Sequence, residues 1–157
     1  MKLSQMLNDA INAQIVIELE NQNKYMQVQS LFEDMQLKNL ASFFKTQSQG
    51  ENSHANLFMD HLNDRNGGKV TIGEVNAPEI NFSDVNSIAD FYVLTEQQTT
   101  DSIESLYDLA LEEKSFIDLP FLQKMLLEQY EEESISSEIA KKLKTVQDIV
   151  LFDSSFG

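Results

Sequence analysis

Six side chains able to bind a hard metal ion stand where helical periodicity calls for apolar residues: Glu18, Glu51, His54, Glu96, Gln129 and Glu132. Glu51/His54 and Gln129/Glu132 are each spaced i, i+3, which puts both members on one helical face and lets one helix aim two ligands at one point. Burying the four carboxylates together without compensation costs several kcal/mol per charge, and no Lys or Arg shares their stripes. Protonation can neutralise one or two of them. Hard oxygen ligands with one imidazole suit divalent cations such as iron or manganese better, and a two-metal carboxylate site is the most economical solution. Glu18 or Glu96 taken alone reads as a solvated residue in a misjudged register, and His54 alone as a satisfied core histidine. Coincidence at matching depth on four stripes is what points to one centre. Tyr25, two turns after Glu18, either hydrogen-bonds a ligand carboxylate or is an ordinary core tyrosine. His61 reads as packing at the bundle end. The acidic run EQYEEE (128–133) is by itself a solvated face, so Glu128 and Glu131 are weaker candidates than Gln129 and Glu132.

Four long segments must position these residues. Only 5 Gly and 2 Pro occur in the chain, and long runs free of both favour helices over strands and turns. The spacing predicts a helix over about 4–34, with Leu7, Ile11, Glu18, Tyr25 and Phe32 on one face. A second, over about 39–64, aligns Leu40, Phe44, Gln47, Glu51, His54, Phe58 and His61. The third, about 84–112, is capped by Ser83 or Asp84 and aligns Ile88, Tyr92, Glu96, Thr99, Ile103, Leu106 and Ala110. The fourth, about 118–145, aligns Leu122, Met125, Gln129, Glu132, Ser136, Ile139 and Leu143, with Asp118 as N-cap and Pro120 in the first turn, where its missing N–H costs little. A short fifth helix is expected at about 147–152. Residues 65–83 carry Pro78 and every internal Gly except Gly50. A connection of roughly 19 residues can run the length of a bundle and join two parallel helices. The expected fold is all-α, one domain over 1–157: an elongated up-down four-helix bundle with a long crossover between helices 2 and 3.

Composition narrows the partners. With 26 acidic residues against 11 basic and a net charge of −15, the chain repels phosphate backbones and attracts cations, which argues against nucleic acid. The absence of Cys removes disulfides, thiolate metal sites and thiol nucleophiles. The N-terminus MKLSQMLNDA lacks a signal-peptide apolar core, and no segment approaches the roughly 20 apolar residues of a membrane span. A cytoplasmic protein with no membrane partner is expected.

The segments ELENQNKYM (18–26), ENSHA (51–55), TEQQTT (95–100) and FLQKMLLEQYEEE (121–133) resemble those of the non-haem bacterial ferritins in order and spacing, over nearly the whole chain. The resemblance implies the ferritin-like fold, a ferroxidase centre and a homo-oligomeric shell of 24 subunits that stores ferric mineral. It implies a first iron held by Glu18, Glu51 and His54 with Gln129 close by, and a second held by Glu96 and Glu132, with Glu51 bridging. Tyr25 matches the tyrosine that the family places beside the centre. The two irons per subunit would be substrate rather than permanent cofactor, because Gln129 and Glu132 stand where a general di-iron bundle has a second Glu-x-x-His.

The departures matter as well. Asn52 replaces the methionine with which bacterioferritins ligate haem, so no haem is expected. A third iron site would use Glu128 and Glu131 on helix 4, but Gly50 occupies the position of its third glutamate. Leu119 and Leu122 stand where animal ferritins line a three-fold channel with acids, with only Asp118 nearby. The expected function is oxidation of Fe(II) by dioxygen and storage of the product. The alternatives are a non-catalytic iron-buffering or assembly protein, and a di-metal oxidase acting on another substrate.

Overall fold

Helices start where a side chain takes up amides that the helix leaves without partners. In the computed structural model, which describes residues 1–156, the Ser4 hydroxyl accepts from the Leu7 amide and α1 runs Gln5–Asp34. Asp84 accepts from Ser87 N and opens α3, Val85–Glu112, which settles the cap between Ser83 and Asp84. α2 spans Lys38–Asp64 and its N-cap Leu37 has no side chain for the task. That task falls to α5, Ile149–Phe156. The Asp153 carboxylate accepts from Leu40 N at 2.8 Å and Asn39 N at 3.4 Å, while Asn39 Nδ2 donates to the Asp153 carbonyl at 2.8 Å. An acid at a helix N-terminus also opposes the helix dipole favourably, so α5 docks on α2 by its one buried polar residue. This helix begins two residues later and ends four residues later than the spacing indicated.

α4 spans Leu119–Thr145, with Pro near its start as expected, but Asp118 caps nothing. Its backbone is already helical, and its fully buried carboxylate is taken by His61 Nε2 and Arg65 Nε, both at 2.7 Å, by Arg65 Nη2 at 3.1 Å and by the Ser115 hydroxyl at 2.5 Å. The reason is competition: a guanidinium and an imidazole at the end of α2 outbid the amides of α4 for the same oxygens. His61 stacks on Phe121 at 4.2 Å, the bundle-end packing that its spacing suggested.

The turn between α1 and α2 is short, so the two are antiparallel, and α3 and α4 form a second hairpin. Between the hairpins, residues 66–84 contain no helix. They run alongside α1 in a fixed register. Leu3 N donates to Asn66 O at 2.9 Å, Lys69 N to Asn8 Oδ1 at 2.8 Å, Thr71 N to Asn12 Oδ1 at 2.8 Å and Asn76 N to Glu20 Oε2 at 3.0 Å. The crossover therefore returns along the bundle and starts α3 where α2 started, making α2 and α3 parallel. It leaves α2 through a tight bend: a Cβ on Gly68 would lie 2.0 Å from the Leu62 carbonyl oxygen, so only glycine fits.

The interior is layered. One apolar cluster, around Tyr25, Phe32, Phe44, Ile88, Tyr92 and Leu143, fills one end of the bundle. A second, around Leu7, Ile11, Phe58, Leu62, Ile103 and Leu122, fills the other. Between them every long helix contributes buried polar residues: Gln14, Glu18 and Asn21 from α1, Ser48 and Glu51 from α2, Glu96 and Thr99 from α3, Gln129 from α4. The apolar ends hold the helices together, and the polar middle is what they position.

Candidate metal centre

Glu18, Glu51 and His54 can each place one ligand atom within 4.8 Å of the other two. His54 Nδ1 lies 3.8 Å from Glu18 Oε2 and 3.8 Å from Glu51 Oε2. These separations are too long for hydrogen bonds, yet they fit ligands about 2.1 Å from one shared cation, which sit about 3–4 Å apart. The other oxygen of Glu18 is tied down, accepting from Gln14 Nε2 at 3.1 Å. One oxygen is thus anchored and the other left free. His54 Nε2 faces the partly exposed Glu128 at 3.7 Å.

The second half of the layer is latched. Glu96 accepts from the Tyr25 hydroxyl at 2.5 Å on Oε1 and from Gln129 Nε2 at 2.8 Å on Oε2, and Gln129 also donates to the Glu96 carbonyl at 3.1 Å. Tyr25 thus donates to Glu96 while its ring packs in the apolar cluster, so it combines both roles that its spacing suggested, a core tyrosine and a donor to a candidate ligand. Asn21 Nδ2 donates to Thr99 Oγ1 at 2.8 Å and continues the polar layer. Glu132 Oε2 is buried without a partner. Glu131 is exposed, and Gly50 offers open space in place of a ligand.

Charge in this layer is divided unequally. Burial works against the Glu18 carboxylate, but its contacts with Glu51, His54 and Gln14 outweigh that and hold it below the usual range. Glu51 is pushed well above that range by burial and by the charge on Glu18. Glu96 and Glu132 are raised too, chiefly by burial. For His54 burial favours the neutral ring, yet Glu18 and Glu51 prevail and push it up to about 11. The upward shifts of His54 and of the Glu51, Glu96 and Glu132 carboxyls all favour protonated forms, so a cation entering the centre competes with protons.

Fit to a metal is decided by the atoms left over. Buried polar groups are satisfied almost without exception in native proteins, yet Glu18 Oε2, Glu51 Oε2, Glu132 Oε2 and Tyr92 Oη have no partner. Three of the four are carboxylate oxygens at the positions singled out by spacing. A divalent cation satisfies such oxygens in a way that no group of the protein does. The sequence pattern had placed Tyr92 on the inward face of α3 without any chemistry; only the hydroxyl's burial distinguishes it. The anchoring amide of Gln14, four residues before Glu18, was also missed, although that i, i+4 spacing is visible in the sequence.

The family model of the ferritin-like domain matches residues 8–146. The chain belongs to the ferritin-like family. It is 29% identical over 157 residues to the bacterial non-heme ferritin of Bacteroides fragilis, covering 99% of this chain and 98% of that one. To its counterpart in Staphylococcus saprophyticus it is 30% identical over 133 residues, covering 85% and 79%. Among solved structures, an open pore ferritin from Archaeoglobus fulgidus superposes with a TM-score of 0.94 at 28% identity, covering 99% and 98% of the two chains. Chlorobium tepidum ferritin superposes with a TM-score of 0.87 at 29% identity, covering 98% and 94%. This ferritin-like chain is thus matched in sequence and in bundle geometry along nearly its full length.

Proposed function

We propose that this ferritin-like chain stores iron and oxidises it at the centre between its helices. Family and fold support iron storage. The observation that carries the catalytic reading is the convergence of the unpartnered buried oxygens of Glu18 and Glu51 with His54 Nδ1 in a layer whose buried residues, among those described, include no lysine or arginine. In this reading Fe(II) is substrate. One ion binds Glu18, Glu51 and His54; a second binds Glu96 and Glu132 once Glu96 Oε2 gives up its bond from Gln129, with Glu51 between them and Gln129 beside them. Each Fe(II) gives up one electron, and dioxygen takes the two together with two protons, so two Fe(III) and one hydrogen peroxide result. Tyr25 orients Glu96. The ferric ions leave past the partly exposed Glu128 and the exposed Glu131 for storage inside a multi-subunit shell, with Gly50 providing no third-site ligand. Exposed Val150 and Leu151 on α5, and Phe116 and Ile117 in the α3–α4 turn, support assembly. Among the described residues no helix is long and apolar enough to cross a membrane. Asn52 stands in place of a haem-ligating methionine, which supports a haem-free protein.

The test is stopped-flow oxidation of two Fe(II) per chain. The wild type is expected to oxidise them far faster than free iron, and Glu51→Gln to lose that acceleration. Equal initial rates in the two proteins would remove the assignment. A buffer that holds iron without catalysis would bind Fe(II) anaerobically and show no acceleration in either form.

A further inference from the structure

Of the four buried side-chain polar atoms without partners among the described residues, a cation accounts for three, the carboxylate oxygens, but not for the fourth, Tyr92 Oη. A phenol hydroxyl is a donor, and its proton needs an acceptor rather than a metal ion. Its ring cannot swing away to find one. It is fully buried and packed edge-on against Phe44 at 5.0 Å, Tyr25 at 5.6 Å and Phe43 at 6.2 Å. Tyr92 stands one helical turn before Glu96, on the same face of α3. Burial above all, with the nearby carboxyls of Glu96, Glu132 and Glu51 acting in the same direction, favours the protonated hydroxyl over a phenolate, so the group remains a donor. Tyr25, its neighbour, already has an acceptor in Glu96. Among the described residues, Tyr92 Oη is the buried hydroxyl without a partner.

We infer that Tyr92 is a positioning residue for dioxygen: its hydroxyl donates a hydrogen bond to an oxygen atom of the oxidant bound beside Glu51, Glu96 and Glu132. The inference rests on the ferroxidase reading. Tyr92 itself is neither oxidised nor deprotonated; it fixes where the electron acceptor sits.

Tyr92→Phe keeps the ring and removes only the hydroxyl. Because that hydroxyl has no partner in the metal-free protein, the variant is expected to melt at or above the wild-type temperature, whereas Tyr25→Phe, which breaks a bond to Glu96, melts lower. Anaerobic Co(II) titration is expected to give the wild-type stoichiometry, affinity and visible spectrum. Fe(II) oxidation measured against dioxygen concentration is expected to show kcat/KM for dioxygen reduced about tenfold, the loss of one hydrogen bond to a bound oxygen atom. An unchanged dioxygen dependence would overturn the inference. A shifted Co(II) spectrum with unchanged dioxygen dependence would also overturn it, by assigning the hydroxyl to a resident water. A variant that unfolds or melts several degrees lower would show that the hydroxyl has a partner within the fold, and would overturn it too. Wild-type oxidation no faster than free iron would instead remove the ferroxidase reading, before any variant is compared.

Discussion

Replacing Glu51 with glutamine separates metal binding from folding. Burial and the Glu18 charge push the Glu51 carboxyl well above its usual range, which favours its neutral form in the absence of metal, and an amide is a neutral substitute of the same shape. The metal-free stability should change by no more than about 1 kcal/mol, which for a chain of this length moves the melting temperature by about 2–4 °C. With cation the two proteins diverge. A site that binds only the folded state adds about 2.7 kcal/mol at a free concentration of 100 times Kd, a rise of roughly 5–11 °C at the same conversion. Glu51→Gln removes the oxygen, 3.8 Å from His54 Nδ1, that would carry charge once a cation displaces its proton, and the rise should vanish. Scanning calorimetry of both proteins with and without Co(II), which binds as a divalent cation without the redox step, measures the difference. Two results would overturn this role for Glu51. A metal-free variant destabilised by more than about 3 kcal/mol would mean that Glu51 is a charged, paired group, and a full Co(II)-induced rise in the variant would mean that the cation binds elsewhere.

The pH dependence has a definite sign. His54 is raised to about 11, so its contribution to metal-free stability is full below about pH 6.5 and is lost as pH rises towards the folded value. The raised Glu51, Glu96 and Glu132 act in the same direction, because the folded state keeps protons that the unfolded chain releases. Urea unfolding of metal-free protein should show lower stability at pH 9 than at pH 6, and higher stability at pH 9 would contradict the raised His54 and carboxyls of the centre. Asp118→Asn should cost about 3–5 kcal/mol, since it leaves Arg65 and His61 without the buried carboxylate that pairs them; a melting temperature within 2 °C of wild type would refute the network. Gly50→Glu should raise metal-free stability by about 0.5–1 kcal/mol through helix propensity, since a Cβ there meets nothing within 4 Å. Calorimetric titration should then show additional Co(II) bound per chain beside Glu128 and Glu131, and an unchanged count would remove the third-site reading.

The four long helices were legible because the pattern that makes them is local: apolar residues at helical spacing, few glycines, and proline only in a first turn or the crossover. Glu18, Glu51, His54 and Glu96 were legible for the opposite reason, as acids and an imidazole where the pattern demanded apolar residues. What escaped the sequence depends on contacts between segments far apart in the chain. Asp118 has the residue type and position of an N-cap, and only the arrival of His61 and Arg65 from α2 redirects its carboxylate. Asp153 looks like any polar residue of a short terminal helix until α5 lies across the unsatisfied start of α2. Tyr92 fits an apolar stripe by its ring, and periodicity carries no information about a hydroxyl left without a partner. The latch on Glu96 likewise joins α1, α3 and α4.

Iron storage is tested most directly by adding a few hundred Fe(II) per presumed shell in air and following protein and iron through the same size-exclusion fractions. Iron is expected to co-elute with a particle of several hundred kilodaltons, far above the 17.9 kDa of one chain. Iron that precipitates or elutes apart, with the protein running as a small species, would contradict storage in a shell.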